Sequence, residues 1–141
     1  MRRCLALAAQ AKATGDAPVG ALIVRAWQIL AEGVERVRAE ADVTAHAEID
    51  AIRRAAQAVG TTDLVGATLY TTVEPCVMCA YAIRAAHISL VVFGTTTTVP
   101  GGTGTPYRLL TDGEIAGWPS PPQVIGGVLA DECAQMRIAG Q

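Results

Sequence analysis

Three metal-ligating side chains, set far apart along the chain, constrain its fold more than any other feature. His46-Ala47-Glu48 supplies an imidazole and a carboxylate, and Pro75-Cys76-Val77-Met78-Cys79 supplies two thiols. A fold that uses this set must bring two distant segments to one point. Zinc that only braces a fold takes four protein ligands, whereas a catalytic zinc keeps one position for water. Three good ligands beside an acid therefore point to water activation. Cys76 and Cys79 are three apart at the expected start of a helix, so they share a face, and the helix N-terminus favours their thiolates. His46 and Glu48 open a second expected helix. Residues two apart do not share a helical face, so both serve one site only if His46 stands in the first turn and turns aside.

Two other uses of these residues explain less. A thioredoxin-like redox pair needs Cys-x-x-Cys alone and leaves the upstream His-x-Glu without a role. A structural zinc needs a fourth ligand such as His87 or Cys133. His87 suits the C-terminus of its helix, and Cys133 suits core packing as a small hydrophobe.

The chain has 141 residues, read as a single domain over 1–141. Hydrophobic residues make up 51% and aromatics only 4%, so the expected core is built from small aliphatic side chains that let helices lie close to a sheet. Eleven Lys and Arg face thirteen Asp and Glu, for a formal net charge of −2. Nucleic-acid-binding domains usually carry a basic surplus. The balance here disfavours nucleic acid as a partner and favours a small heterocyclic molecule. No run reaches the roughly 20 apolar residues of a membrane span. A cysteine pair at ligand spacing, with no secretory signal, suits a reducing cytoplasm.

Hydrophobic spacing predicts a helix over 2–14, a buried strand over 21–24 and its hairpin partner over 29–34. Thr44 is the expected N-cap of a helix over 45–59 that Gly60 ends. A strand over 67–73 precedes Pro75, expected at the first position of a helix reaching about residue 86. Strands over 88–93 and 123–125, a short helix from Tyr107 to Leu110, and a final helix over 128–138 complete the pattern. Residues 95–105, rich in Thr and Gly, form either a surface loop or a lid over the site. The alternation implies an α/β sandwich with helices on both faces of one sheet.

His46-Ala47-Glu48-Ile49, Glu74-Pro75-Cys76-Val77-Met78-Cys79-Ala80 and Val91-Val92-Phe93-Gly94 resemble the cytidine deaminase-like superfamily. The nearest branch holds tRNA adenosine deaminases, guanine deaminases and fungal-type cytosine deaminases. The likeness runs from Pro18-Val19-Gly20 to Gly94, and Gly127 to Cys133 looks like the final helix of the tRNA enzymes. The resemblance implies a three-layer αβα sandwich around a mixed five-stranded sheet, in a homodimer or larger assembly. It also implies a zinc-dependent hydrolase in which His46, Cys76 and Cys79 hold the metal and Glu48 is catalytic. Glu48 would take a proton from the activated water, pass it to a ring nitrogen and protonate the departing ammonia. Backbone groups at Ala47 and Cys76 would fix the ring and the attacking oxygen.

At one place the chain departs from that family, whose members commonly carry Asn in a Gly-x-Asn segment that hydrogen-bonds base or ribose. Here the segment reads Gly33-Val34-Glu35. A carboxylate accepts hydrogen bonds and does not donate them. Glu35 is therefore expected to favour a ring with an extra N–H edge, unless it lies on the surface beside Arg36 and Arg38. Tyr107 and Trp118 are candidates to stack on a flat ring. The expected substrate is a free nucleobase, a nucleoside, or a guanine-, cytosine- or aminotriazine-like analogue. A tRNA-specific adenosine deaminase is the alternative, disfavoured by the acidic balance and by a final helix with only Arg137 near its end. An inactive deaminase-like binding subunit is a further reading, opposed by the presence of Glu48 with all three ligands.

Overall fold

The computed structural model of the chain describes residues 1–97, 101–104 and 107–138. Its elements are α1 (Arg2–Ala13), β1 (Gly20–Arg25), β2 (Gln28–Val34), α2 (Val37–Glu40), α3 (Ala47–Val59), β3 (Thr68–Val73), α4 (Val77–Ala85), β4 (Leu90–Thr95), β5 (Gln123–Ile125) and α5 (Ala130–Ile138). The strands form one five-stranded sheet in the order β2-β1-β3-β4-β5. β1 is antiparallel to β2 and β3, whereas β3, β4 and β5 run parallel, so the sheet is mixed as expected.

Side chains alternate across a strand, and β1 shows what each face meets. Ala21 and Ile23 join a core with Ala47, Ala51 and Ala55 of α3 and Ala80 and Ile83 of α4. On the other face Gly20 lies so close to α1 that a methyl group would come within 2.3 Å of the Cys4 carbonyl oxygen. Gly94 of β4 meets the Cys133 sulfur of α5 in the same way, at 2.3 Å from a built Cβ. Helices α3 and α4 thus cover one face, and α1 and α5 the other. Alanine and glycine at these contacts are what allow the layers to sit this close.

The connections decide where a site can form. Helix α3 follows the end of β2 and α4 follows the end of β3, so both start at one edge of the sheet. That edge is also where parallel strands β3 and β4 end, the usual place for a ligand crevice in an open α/β sheet. At Gly33 an added Cβ would lie 2.0 Å from the Ala47 carbonyl oxygen. Glycine there lets β2 press on the first turn of α3. Asp50 of α3 also accepts the Val34 N–H at 3.3 Å, which pins the end of β2 beside the helix start.

Two expected helix starts shift in the structure. Thr44 does not cap α3, because its N–H and hydroxyl both bond Asp42 Oδ1, at 2.8 and 2.7 Å. The chain turns locally there, and the cap passes to His46, with φ −74 and ψ 150. Pro75 likewise precedes the cap of α4, which is Cys76. The end of α3 matches expectation, with Gly60 in the left-handed conformation at φ 75. No helix of the described residues is long and apolar enough to cross a membrane.

Residues 107–110 form no helix, contrary to the spacing; 109–111 make a turn instead. The reason lies in Arg84 of α4, which is only 1% exposed. Its Nε and Nη2 donate to the Pro119 carbonyl, and its Nη1 donates to the carbonyls of Leu109 and Asp112, both at 2.8 Å. The guanidinium also lies 5.1 Å from the centre of the Trp118 ring. One side chain thus satisfies three loop carbonyls and holds 109–119 onto α4. Arg84→Met leaves those acceptors unpaired, and urea unfolding should show a loss of about 3 kcal/mol or more. An unchanged midpoint and slope would show that the clamp is dispensable.

The β1–β2 turn carries a second local cost. Arg25 pairs with Gln28, leaving a two-residue loop in which Ala26 has φ 51 and Trp27 φ 64. Tight hairpins want Asn-Gly at such positions, because both residues must be left-handed. Trp27 is 97% exposed, so no packing compensates for the strain. Replacing Ala26-Trp27 with Asn-Gly should raise stability by roughly 1–2 kcal/mol, read by thermal or urea unfolding.

Candidate active site

Each helix start presents its cap residue to the common edge. His46 caps α3 with Glu48 in its first turn, while Cys76 caps α4 with Cys79 three residues on. A cap residue has extended rather than helical backbone. This is how His46 escapes the helical face problem and points to the same place as Glu48. The His46 Nδ1 lies 3.7 Å from the Cys76 sulfur and 3.6 Å from the Cys79 sulfur. Zinc–sulfur bonds of about 2.3 Å and a zinc–nitrogen bond of about 2.0 Å, at a tetrahedral angle, require roughly 3.5 Å between N and S. The donor set therefore fits one tetrahedral ion. Among the described residues these three form a ligand cluster, and Glu35, His46 and Glu48 form another that shares the histidine.

Glu48 is 3% exposed. Its Oε1 accepts the Thr71 hydroxyl at 2.9 Å, and its Oε2 lies 3.6 Å from the Cys79 sulfur. Burial is the main reason its carboxyl is pushed up from the ordinary range. An acid so placed holds a proton more readily than a surface glutamate does. The thiols divide. Donation from the Cys79 thiol, with His46 adding to it against the effect of burial, pulls Cys76 down to about 4. Cys79, donating to Cys76 and buried, is pushed up. Pairing with Cys76 raises His46 to about 9 despite its burial.

Glu35 is not a surface residue. It is 6% exposed, lines the cleft, and accepts the Ala47 N–H at 2.9 Å through Oε2. Burial lifts its carboxyl to about 7. The Ala47 amide, expected to face the ring or the attacking oxygen, is spent on Glu35. Tyr107 is 51% exposed and does not line the cleft. Trp118 packs edge-to-face on Tyr81 at 5.0 Å, on the loop that Arg84 holds. Of the 95–105 segment, residues 98–100 and 105 lie outside the described residues. Residues 101–103 are docked: Gly102 donates to the Pro75 carbonyl at 2.8 Å, and Thr103 donates to Glu74 through both its N–H and its hydroxyl.

The cleft over the cluster holds about 150 Å³ and is lined by Pro18, Val19, Glu35, His46, Glu48, Glu74, Cys76, Thr97 and Arg137 among others. That is below the roughly 300 Å³ at which ordinary small-molecule sites begin. It has room for one flat ring and little else. A wider depression of about 630 Å³ lies at the amino ends of β4 and β5, lined by His87, Ser89, Ser120 and Gln123 among others. His87 is 3.3 Å from Asp63 there, and Cys133 faces Gly94 across the sheet, so neither is near the ligand cluster.

Residues 1–95 match the family described as the cytidine and deoxycytidylate deaminase zinc-binding region. The chain belongs to this deaminase family. The tRNA-specific adenosine deaminase of Haemophilus influenzae is 40% identical over 136 residues, covering 96% of this chain and 77% of the relative. The enzyme of the same name from Bacillus subtilis is 37% identical over 139 residues, 99% of this chain and 84% of the relative. A solved structure from work on A-to-I editing by tRNA:A34 deaminases at the wobble position of transfer RNA has a TM-score of 0.89 at 35% identity, covering 96% of both chains. The deaminase is a hydrolase of C–N bonds with zinc as its cofactor and the mixed αβα fold of its family.

These relatives overturn two expectations from the sequence: a free nucleobase, nucleoside or base analogue as substrate, and the exclusion of nucleic acid as a partner. The physical error was to use net charge as a proxy for a local surface. Ion pairs such as Arg2 with Glu132, Arg3 with Glu32, and Arg36 and Arg54 with Asp50 enter that sum without saying what charge faces the cleft. RNA loops, moreover, are recognised by shape and by capture of an unstacked base as well as by phosphate attraction. Sequence reasoning also missed Thr71 and Arg84. Both sit at positions whose neighbours read as ordinary strand and helix, and no motif marks them.

Proposed function

We propose that this deaminase converts adenosine to inosine in the anticodon loop of a tRNA, with His46, Cys76 and Cys79 holding zinc and Glu48 as the proton carrier. The observation that carries the reading is the closure of that donor set at tetrahedral spacing, with the Glu48 carboxyl 3.6 Å from the Cys79 sulfur. The names of the relatives support the substrate. When bound, the metal supplies a Lewis acid that makes water a nucleophile near neutral pH. Glu48, desolvated and steadied by Thr71, would carry both protons of the attacking water in turn: the first to the ring nitrogen next to the reacting carbon, the second to the amine, whose C–N bond breaks to release ammonia as the carbonyl forms. Glu35 presents a carboxyl oxygen to the cleft and serves as acceptor for a hydroxyl or amine of the captured nucleotide.

The size of the cleft favours a single extruded base over a larger ligand. Ile52, Ala56, Tyr81 and Ala85 line an apolar groove between α3 and α4, which supports a homodimer formed through that face. Four free cysteines, two of them needed as ligands, suit a reducing cytoplasm. The test is to incubate zinc-loaded protein with an anticodon stem-loop RNA carrying adenosine at the first anticodon position. Digestion and mass spectrometry should then find inosine. Ammonia from free guanine or cytosine, with no inosine in the RNA, would reverse the assignment.

A further inference from the structure

Arg137 of α5 is the one Lys or Arg side chain lining the catalytic cleft among the described residues. The other ionisable groups there are His46, Cys76 and three carboxyls: Glu35, Glu48 and Glu74. An acidic crevice repels a polyanion, so a nucleotide entering it needs a cation where its phosphate remains outside. Arg137 stands at such a place. Its Nη1 donates to the Thr96 carbonyl at 3.2 Å, which ties the guanidinium to the end of β4 beside Thr97. Among the described residues it has no carboxylate partner, in contrast with Arg2, Arg3, Arg36 and Arg54. A guanidinium with one donor anchored keeps others in a planar fork, which matches two oxygens of a phosphate.

We infer that Arg137 is the phosphate-binding residue of the cleft, gripping the backbone phosphate next to the adenosine whose base enters beside Glu48. This rests on the proposed RNA substrate and deepens it. The cleft takes the ring alone, so the flanking phosphate lies at the rim, on the side where α5 meets β4. Arg137 therefore positions substrate and takes no part in proton transfer.

The experiment measures inosine formation in the stem-loop RNA by wild type, Arg137→Gln and Arg137→Lys across a range of salt. Adenosine 5′-monophosphate and adenosine are run alongside. Arg137→Gln should raise KM for the RNA roughly tenfold, with the loss carried by KM and not kcat. Its plot of log(kcat/KM) against log[salt] should be shallower by about one unit, and Arg137→Lys should restore the slope. A helix that merely needs Arg137 for packing would show altered stability with the salt slope unchanged. Sensitivity to Arg137 with the monophosphate alone would assign the contact to a free nucleotide's terminal phosphate and overturn the backbone contact. RNA binding by anisotropy, in a Glu48→Gln background, separates this inference from the proposed function. Turnover can fail in every protein while Arg137→Gln still weakens binding; equal binding and equal slopes would refute the role of Arg137.

Discussion

Glu48→Gln protein should carry a full complement of zinc, unfold like wild type, and form inosine roughly 10³- to 10⁴-fold more slowly. The amide is the same size as the carboxyl and still accepts the Thr71 hydroxyl, now held at 2.9 Å. None of the three proposed ligands is touched. What is lost is the buried acid that lies 3.6 Å from the Cys79 sulfur, whereas Glu35 has one oxygen engaged by the Ala47 N–H. Single-turnover rates together with metal analysis check this. Wild-type turnover in the variant would transfer the proton-carrying role elsewhere, and loss of zinc would make Glu48 a ligand.

Zinc uptake should depend steeply on pH. In the metal-free protein Cys76 is already a thiolate at neutral pH, since its pKa falls to about 4. His46, raised to about 9, and Cys79, also raised, still hold protons. Binding must displace both, so about two protons leave per zinc, and affinity should rise about a hundredfold per pH unit near neutrality. Chelator competition at several pH values, with proton release measured in weak buffer, tests the number. A pH-independent affinity would contradict the charge pairing described here.

The same shifts set how the metal-free protein responds to pH, and their signs differ from group to group. Glu35 is raised from 4.5 to about 7, so its contribution to stability is full below 4.5 and lost as pH rises through about 7. His46, raised from 6.5 to about 9, contributes fully below 6.5 and loses that contribution through about 9. Cys76, lowered from 9.0 to about 4, works the other way and gains stability as pH rises over that range, so it offsets the loss from His46, and the metal-free protein should gain nothing with pH in the range where zinc binds more tightly. Zinc and pH together should open a widening gap in unfolding temperature.

Much of the fold was legible because its signals are local. The apolar run from Ala21 to Val24, the left-handed Gly60 and the alternation of strand and helix each follow from a few neighbouring residues. The convergence of His46, Glu48, Cys76 and Cys79 was legible as a requirement, since the residue types suit one ion. How it is met was not. Thr44 and His46 are two residues apart and both can open a helix, and only the turn at Asp42 decides between them. The burial of Glu35 follows from the close approach of β2 and α3 at Gly33, a contact between segments that no window of sequence contains. Nothing in the sequence around Arg84 marks it, because the loop carbonyls it binds lie 25 to 35 residues away. The substrate was misjudged for a different reason: total charge says nothing about which face carries it, or about a base drawn into a narrow cleft.

X-ray absorption at the zinc edge of the purified protein tests the central claim most directly. The account predicts one zinc per chain with two sulfur neighbours at about 2.3 Å, one imidazole nitrogen near 2.0 Å and one light oxygen scatterer, with the sulfur count halved in Cys79→Ala. A centre with four protein ligands, or a chain that binds no zinc at all, would contradict it.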